Sequence, residues 1–189
     1  MNNPSVLQAA PAHSLSRESI RLELRVDGAS PGDFTLLFAR HAARGITFQR
    51  LDELQVTAPR WLDTFTRLDN DTRSSSGDPQ VPRTSDAMRA RLGELAFDAA
   101  ACFVACDRAR WVGYTLLDSR RSTPERIRQS WTGVIPEYRR RGIATALKAL
   151  TVRYAHAGGY AFIETVIRRS NIAAWSMNER IGLRPAPSR

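Results

Sequence analysis

The sequence predicts an α/β fold, in which strands and helices alternate along the chain and pack as one sheet with helices beside it. Apolar and charged side chains alternate over residues 20–26, which is the period of a strand with one buried face. A second apolar run, residues 131–135, ends at Pro136, and apolar residues at helical spacing begin at Ile143. Strand and helix patterns recur in this way over most of the 189 residues.

The first half of the chain is predicted to hold two strands and three helices. Gly45 is expected to end the first helix in the left-handed conformation, and Pro59 suits the first turn of an amphipathic helix. Residues 70–83 are rich in Asn, Asp, Ser, Gly and Pro, and we expect them to form the least ordered loop. In chain order the elements are a strand at 20–26, a helix at 33–44 capped by Asp33, a strand at 46–51, a helix from residue 59 and a helix at 85–93.

The second half is predicted to hold four strands and two helices. Residues 107–110 separate two apolar runs as a hairpin turn would, and Gly158 and Gly159 are expected to end a long helix. The polar residues 118–126 are predicted to form a loop. In chain order the elements are strands at 101–105, 111–117 and 126–135, a helix at 142–157, a strand at 161–166 and a helix at 171–180.

The turn between Pro136 and the long helix predicts a seat for a pyrophosphate group. Gly142 lets the backbone turn tightly and lets a ligand come close. The helix that follows directs its free N–H groups and the positive end of its dipole at the turn, and three consecutive arginines add donors for phosphate oxygens. The nucleotide-triphosphate loop is excluded because no Gly-Lys-Ser/Thr follows, and the dinucleotide fingerprint because only one of its glycines is present.

Two segments resemble motifs of the GNAT acetyltransferase superfamily. One is the acetyl-coenzyme A loop, read here as Arg139-x-x-Gly142-x-Ala144 after the strand end Val134-x-Pro136. The other resembles the last helix of the family and reads Asn171-x-x-Ala174-x-x-x-Asn178-Glu179-x-x-Gly182-Leu183. The two occur in the family order, with a predicted strand between them, and the resemblance covers roughly residues 46–184.

The resemblance implies the GNAT fold, a mixed and mostly antiparallel sheet flanked by helices. Two parallel strands, carrying Ile135 and Glu164, are expected to splay apart and to hold the pantetheine arm of acetyl-CoA on their unpaired backbone groups. The backbone N–H near Ile135 would hold the thioester oxygen. Asn171 is either the cap of the last helix or an amide partner of the arm. The residues implied in cofactor binding are Val134, Ile135, Arg139, Arg140, Arg141, Gly142, Ile143, Ala144, Thr145, Asn171 and Asn178.

Three residues are candidates for acid or base catalysis. Asn178 stands where many family members have a tyrosine that protonates the leaving sulfur, and an asparagine can donate a hydrogen bond but is no practical acid. Glu164 lies on a strand of the cleft, where the alternative is a carboxylate paired with an arginine. Tyr138 lies beside the phosphate turn, where the alternative is packing at the rim. The histidines, His41 among them, are expected to lie away from the cleft.

The function that the resemblance implies is transfer of an acetyl group from acetyl-CoA to the amine of a small molecule, such as an antibiotic or another specialised metabolite. Two alternatives stay open: a module that binds an acyl-CoA without turnover, and an acetyltransferase for a protein or RNA. The acceptor would be set by the loops at 70–83 and 118–126.

The composition fits a globular cytoplasmic protein. The net charge of +9 is carried by arginine, since Lys148 is the only lysine. The sequence has no basic block interleaved with aromatic residues, a pattern that would favour binding of nucleic acid. Cys102 and Cys106 have no partner histidines and are read as buried filler in a reducing compartment, without a metal. The sequence contains no apolar run of the length that a membrane span needs.

The chain is read as a flexible tail, residues 1–18, and one GNAT domain, residues 19–189, whose first part (19–45) is an added strand and helix. This front part resembles the start of the second repeat in tandem GNAT proteins, the group that includes mycothiol synthase. Because the chain ends soon after Ile181, the strand at 161–166 would be left as an open apolar edge. We expect the strand at 20–26 to pair beside it, within the chain or by exchange in a homodimer.

Overall fold

The computed structural model describes residues 18–26, 34–74, 81–94, 97–123 and 125–187. The predicted tail lies outside these residues except for Glu18, and so does the predicted cap Asp33. The strands are β1 (Ser19–Arg25), β2 (Ile46–Arg50), β3 (Cys102–Asp107), β4 (Arg110–Thr123), β5 (Arg126–Val134), β6 (Phe162–Arg168) and β7 (Arg184–Pro185). The helices are α1 (Thr35–Ala42), α2 (Leu51–Thr57), α3 (Trp61–Arg73), α4 (Ser85–Glu94), α5 (Ile143–Ala157) and α6 (Ile172–Arg180).

The described strands form one seven-stranded sheet in the order β2-β3-β4-β5-β6-β1-β7. The pair β5–β6 is parallel, and the other neighbours are antiparallel. The parallel ladder joins only three residue pairs, from Arg126 with Phe162 to Arg128 with Glu164, although both strands continue beyond it. The predicted mixed sheet with a splayed parallel pair is therefore confirmed.

Strand β1 covers the far edge of β6, as the sequence predicted. The antiparallel pairing runs over the whole of β1, from Ser19 with Arg168 to Arg25 with Phe162, and it forms within one chain. Leu22 and Leu24 are buried in the same apolar cluster as Ile163 of β6. The short strand β7 then pairs with β1, so β1 lies inside the sheet.

The two faces of the sheet carry different helices. Tyr114 of β4 contacts Phe65 of α3. The next residue, Thr115, accepts a hydrogen bond from the Gln129 side chain, whose oxygen accepts one from Lys148 of α5. Successive residues of a strand point to opposite faces, so α3 and α5 pack on opposite sides of the sheet. Helix α4 packs on α3, and α6 packs beside α5.

Three predicted boundaries were wrong. Residues 46–51 were expected to be a strand, but Leu51 begins α2, because the Glu53 carboxylate accepts the Arg50 N–H at 3.3 Å and caps the helix. Helix α3 continues through Arg73 into the predicted loop at 70–83, where Asn70 exchanges two hydrogen bonds with the backbone of Arg83. Strand β4 extends to Thr123, so most of the predicted loop at 118–126 is strand.

The two cysteines are buried on β3, as expected for apolar filler. Burial raises the pKa of the Cys106 thiol to about 11 and that of Cys102 further, so neither is a ready nucleophile. Among the described helices, none has the length and apolar character required to cross a membrane.

We predict that Leu22→Ala lowers the free energy of unfolding by about 2–5 kcal/mol, because Leu22 is 1% exposed and its loss leaves a cavity in the apolar cluster between the sheet and α5. Leu36→Ala is the matched control, since Leu36 is 68% exposed and should change stability by less than about 0.5 kcal/mol. Urea unfolding of both variants measures this. Equal stability of the two variants would show that β1 contributes little to the fold.

Candidate active site

The predicted phosphate turn joins the 3₁₀ turn Pro136–Tyr138 to α5. Gly142 precedes the helix with φ +84°, a conformation that favours glycine, and no side chain in the described part of the chain caps this end of α5. Arg140 is also left-handed, with φ +55°. The N–H groups of the first helical turn, which Ile143, Ala144 and Thr145 provide, have no intrahelical acceptor and can meet an anion.

His41 packs against this turn, which corrects the expectation that it lies away from the cleft. A β-carbon placed on Gly142 would lie 3.5 Å from the His41 Nε2 and 3.5 Å from the Leu37 side chain. The imidazole is 2% exposed, and its Nε2 has no hydrogen-bond partner among the described residues. Burial lowers the pKa of His41, with the Gly142 backbone opposing the shift, so the ring is neutral at pH 7.

The open side of β5 exposes different backbone groups from those expected. The N–H of Ile135 donates to the Val112 carbonyl at 3.0 Å and therefore faces β4, so it is not free to hold a thioester oxygen. Backbone groups alternate in direction along a strand, so Thr132 and Val134 direct theirs toward the gap between β5 and β6. The Val134 carbonyl accepts from Arg139 Nε at 3.0 Å.

The gap between β5 and β6 begins at Gln129. The Thr165 hydroxyl of β6 donates to the Gln129 carbonyl at 3.0 Å. A side chain therefore occupies the backbone acceptor that the next hydrogen bond of the parallel ladder would use. Ser130 is the extra residue of a bulge in β5, because Leu116 of β4 pairs with Trp131 and the next residue, Leu117, pairs with Gln129. The Ser130 Oγ is buried with no hydrogen-bond partner in the part of the chain that is described.

Glu164 lies in the last pair of the parallel ladder. Its neighbour Ile163 is buried in one apolar cluster with residues of α5, so Glu164 points to the opposite face. Arg126 lies 3.9 Å from the Glu164 carboxylate and 2.8 Å from that of Glu23. The pairing with an arginine, which the sequence left as the alternative, is therefore present, and the carboxylate keeps some exposure, at 20% of its side chain.

The two asparagines of the last helix have different environments. Asn171 is the cap of α6, since its side chain accepts the Ala174 N–H at 3.0 Å. Asn178 is 1% exposed, and its Oδ1 has no hydrogen-bond partner within the described ranges. A buried amide oxygen without a partner costs free energy, which marks it as a candidate for bonding to a ligand.

Tyr138 is held on the outer side of the turn. Its hydroxyl donates to Asp107 Oδ2 at 2.6 Å, and this bond raises the pKa of the phenol. The guanidinium of Arg141 lies 4.7 Å from the ring centre. The arrangement is the rim packing that the sequence left as the alternative, and it ties the hairpin turn of β3 and β4 to the phosphate turn.

A wall of the cleft that the sequence did not predict comes from the end of α3. Asp69 is 1% exposed and accepts from Arg73, from Arg83 and from the Tyr114 hydroxyl. The Arg73 guanidinium lies 4.1 Å from the centre of the Trp131 ring on β5. The spacing of Asp69 and Arg73 was the available sign, because residues four apart share one face of a helix.

Gly133 of β5 lets this wall approach the sheet closely. A β-carbon at Gly133 would lie 2.7 Å from the Thr72 Cβ, so no larger residue fits without a shift of α3. The carbonyl of Thr72 also accepts from Arg139 Nη2 at 3.4 Å. Arg139 therefore links the strand end of the phosphate turn to the end of α3. No group of three metal-binding side chains lies together among the described residues.

Known proteins share the family and the fold of this chain. The chain matches the sequence model of the acetyltransferase (GNAT) family over residues 62–183, while it matches no curated protein. A GCN5-related N-acetyltransferase from Sphaerobacter thermophilus is similar in fold, with a TM-score of 0.61, 19% identity, and coverage of 89% of this chain and 48% of that one.

Two further structures share the fold. For a tandem GNAT protein from the clavulanic acid biosynthesis pathway the TM-score is 0.60 and the identity 16%, over 90% of this chain and 54% of that one. A diaminobutyrate acetyltransferase from Paenibacillus lautus, in complex with its substrate and coenzyme A, has a TM-score of 0.52 and 21% identity, over 71% of this chain and 73% of that one. The chain spans about half the length of the Sphaerobacter and tandem proteins. Since the family model covers well over half of its residues, the chain belongs to the GNAT family of acetyltransferases.

Proposed function

We propose that the chain binds acetyl-CoA in the gap between β5 and β6 and transfers the acetyl group to the amine of a small molecule. The observation that carries the proposal is one juxtaposition: the unpaired side of β5 leads directly to the uncapped first turn of α5. The backbone of β5 can bond to amide groups, and the first turn of α5 can donate N–H groups to phosphates. Acetyl-CoA carries amides and phosphates in that order along one extended molecule.

The phosphates are assigned to the turn. The N–H groups of Ile143, Ala144 and Thr145 receive the pyrophosphate, and the exposed Arg140 and Arg141 add charge-assisted hydrogen bonds. The amides of the pantetheine arm bond to Thr132 and Val134 on β5. The unpartnered oxygens of Ser130 and Asn178 are further sites for polar groups of the ligand.

The reaction requires a new bond between the acceptor nitrogen and the acetyl carbon, and cleavage of the bond from that carbon to sulfur. We assign the Thr132 N–H, the farther of the two from the phosphate turn, to the oxygen that gains negative charge, which leaves the Thr132 carbonyl and the Val134 N–H for the arm. We assign Glu164 as the general base that accepts the proton from the amine, since its carboxylate lies at the start of the gap. Asn178 donates a hydrogen bond to the departing sulfur, whose proton comes from solvent.

The class of acceptor is supported by two of the similar structures. The Paenibacillus enzyme is described with the substrate L-2,4-diaminobutyric acid, a small amine, and the tandem GNAT protein belongs to the clavulanic acid pathway. We extend a small-molecule acceptor to this chain on that basis. We also propose that residues 19–189 are one catalytic domain, because β1 and β7 complete its sheet, and that it works in the cytoplasm, where its free cysteines stay reduced.

A second candidate is a module that binds acyl-CoA without turnover, and the observation that favours it is Asn178 in place of an acid. Mass detection of acetyl transfer to a panel of amines, including diamines and amino acids, separates the two. An acetylated amine that depends on both the protein and acetyl-CoA supports the enzyme. Tight binding of CoA with no product above the protein-free rate on any amine supports the module.

We predict that Gly142→Ala raises the Kd for CoA by about tenfold or more, because a side chain at φ +84° is strained and a shift that relieves the strain turns the N–H groups of the first helical turn away from the phosphates. The matched control is Gly159→Ala at the other end of α5, where φ is +72° and nothing lies within 4 Å of the added carbon. That variant carries a similar strain and should keep its Kd within about twofold. Calorimetry measures both, and equal Kd values in the two variants would remove the turn from the binding site.

Asn178→Ala should reduce kcat by on the order of tenfold or less, the scale of one weak hydrogen bond. Steady-state kinetics with the acceptor found by mass detection give this value. A loss of about a thousandfold would instead assign Asn178 a direct part in proton transfer. Asn178→Tyr is the companion variant: a faster reaction would show that a missing acid limits the rate.

Tyr138→Phe should leave kcat within about twofold, because the hydroxyl donates to Asp107 on the outer side of the turn. The melting temperature should fall slightly with the loss of that bond. A large drop in kcat at unchanged melting temperature would contradict this prediction and show that the Tyr138 hydroxyl takes part in catalysis.

A further inference from the structure

Lys148, the only lysine of the chain, lies on the inner face of α5 and is 2% exposed. Its ammonium donates to the Gln129 side-chain oxygen, at the residue where β5 and β6 separate. Burial lowers the pKa of Lys148 to about 7, and no acidic side chain of the described residues offsets that shift. A lysine in this position is costly for stability, since an apolar side chain of the same length would avoid the burial of an ammonium group.

Gln129 is held at every polar atom of its side chain. Its amide nitrogen donates to Thr115 Oγ1 at 2.9 Å and to Thr151 Oγ1 at 3.4 Å, while its amide oxygen accepts from Lys148. The backbone carbonyl accepts from Thr165 at 3.0 Å. One residue therefore joins β4, β5, β6 and α5 at the point where the parallel ladder has just ended.

The connection matters because one ligand is held by two elements. The first turn of α5 receives the phosphates, and Lys148 follows Ile143 by only five positions, or about 7.5 Å along the helix axis. β5 receives the pantetheine arm directly after Gln129. The bond between Lys148 and Gln129 thus joins the helix that forms one end of the site to the strand that forms the other.

We propose that Lys148 is a positioning residue for acetyl-CoA: through Gln129 it fixes α5 and its phosphate turn relative to the start of the gap in β5. The inference rests on the proposed binding of acetyl-CoA. It explains why a buried lysine is present where a leucine or methionine would fill the same space at lower cost.

The first test compares Lys148→Met with Val152→Ala. Methionine keeps an unbranched side chain, one atom shorter, and removes the charge and the hydrogen bond. Val152 is a buried residue of α5 that belongs to the apolar cluster with Leu117 and Ile127. We expect Lys148→Met to weaken binding of CoA by about tenfold, with a melting temperature at pH 7 no lower than that of Val152→Ala, because the unpaired Gln129 oxygen is offset by the loss of a buried ammonium group. Val152→Ala should lower the melting temperature and leave the Kd for CoA unchanged.

The double variant Lys148→Met/Gln129→Leu removes both partners and leaves no buried amide oxygen unpaired. It should fold at least as stably as the wild type and still bind CoA weakly, which separates positioning from general stability. Wild-type affinity in either Lys148 variant, or weak binding that tracks the melting temperature across all three variants, would overturn the proposal. If the wild type itself does not bind CoA, the proposed function fails first.

A spectroscopic test uses the single lysine directly. Protein labelled with ¹⁵N at the lysine side chain gives one amine resonance, apart from the chain terminus, and this resonance reports Lys148 alone. Saturation with CoA should shift it, because the ligand occupies both elements that Lys148 joins. An unshifted resonance in a sample saturated with CoA would show that Lys148 does not sense the site.

Discussion

The site depends on the early separation of β5 from β6. The two parallel strands share three residue pairs and then part at Gln129, so the rest of β5 keeps one row of backbone groups without a partner strand. Unpaired backbone groups are costly unless a ligand or water satisfies them. The gap is therefore costly for the sheet when it is empty and suited to a ligand rich in amides.

The gap can remain open because β6 has another partner. All seven residues of β6 pair with β1, so β6 forms its ladder on the far side and does not need β5 beyond the first three pairs. On the other side, β5 is fixed by β4 and by the close packing of Thr72 on Gly133. The front strand, which lies outside the matched family region, thus completes the ladder of β6 on the side away from the gap.

The sequence was sufficient to predict the parts that depend on local patterns. Gly142 indicated the left-handed turn that begins α5, and the alternation in residues 20–26 together with an exposed edge indicated the place of β1. The environments of His41, Asp69 and Lys148 could not be predicted, because each depends on residues distant in sequence that meet only in the folded chain. The direction of the Ile135 N–H was missed because a bulge at Ser130 and the register with β4 decide it.

Amide hydrogen exchange of β5 tests the central claim most directly. In the free protein Thr132 and Val134 should exchange rapidly, while Ile135, bonded to Val112, should be protected. On saturation with CoA the account predicts that Thr132 and Val134 become protected and that Ile135 changes little. Exchange at Thr132 and Val134 that is the same with and without bound CoA would contradict the placement of the cofactor arm between β5 and β6.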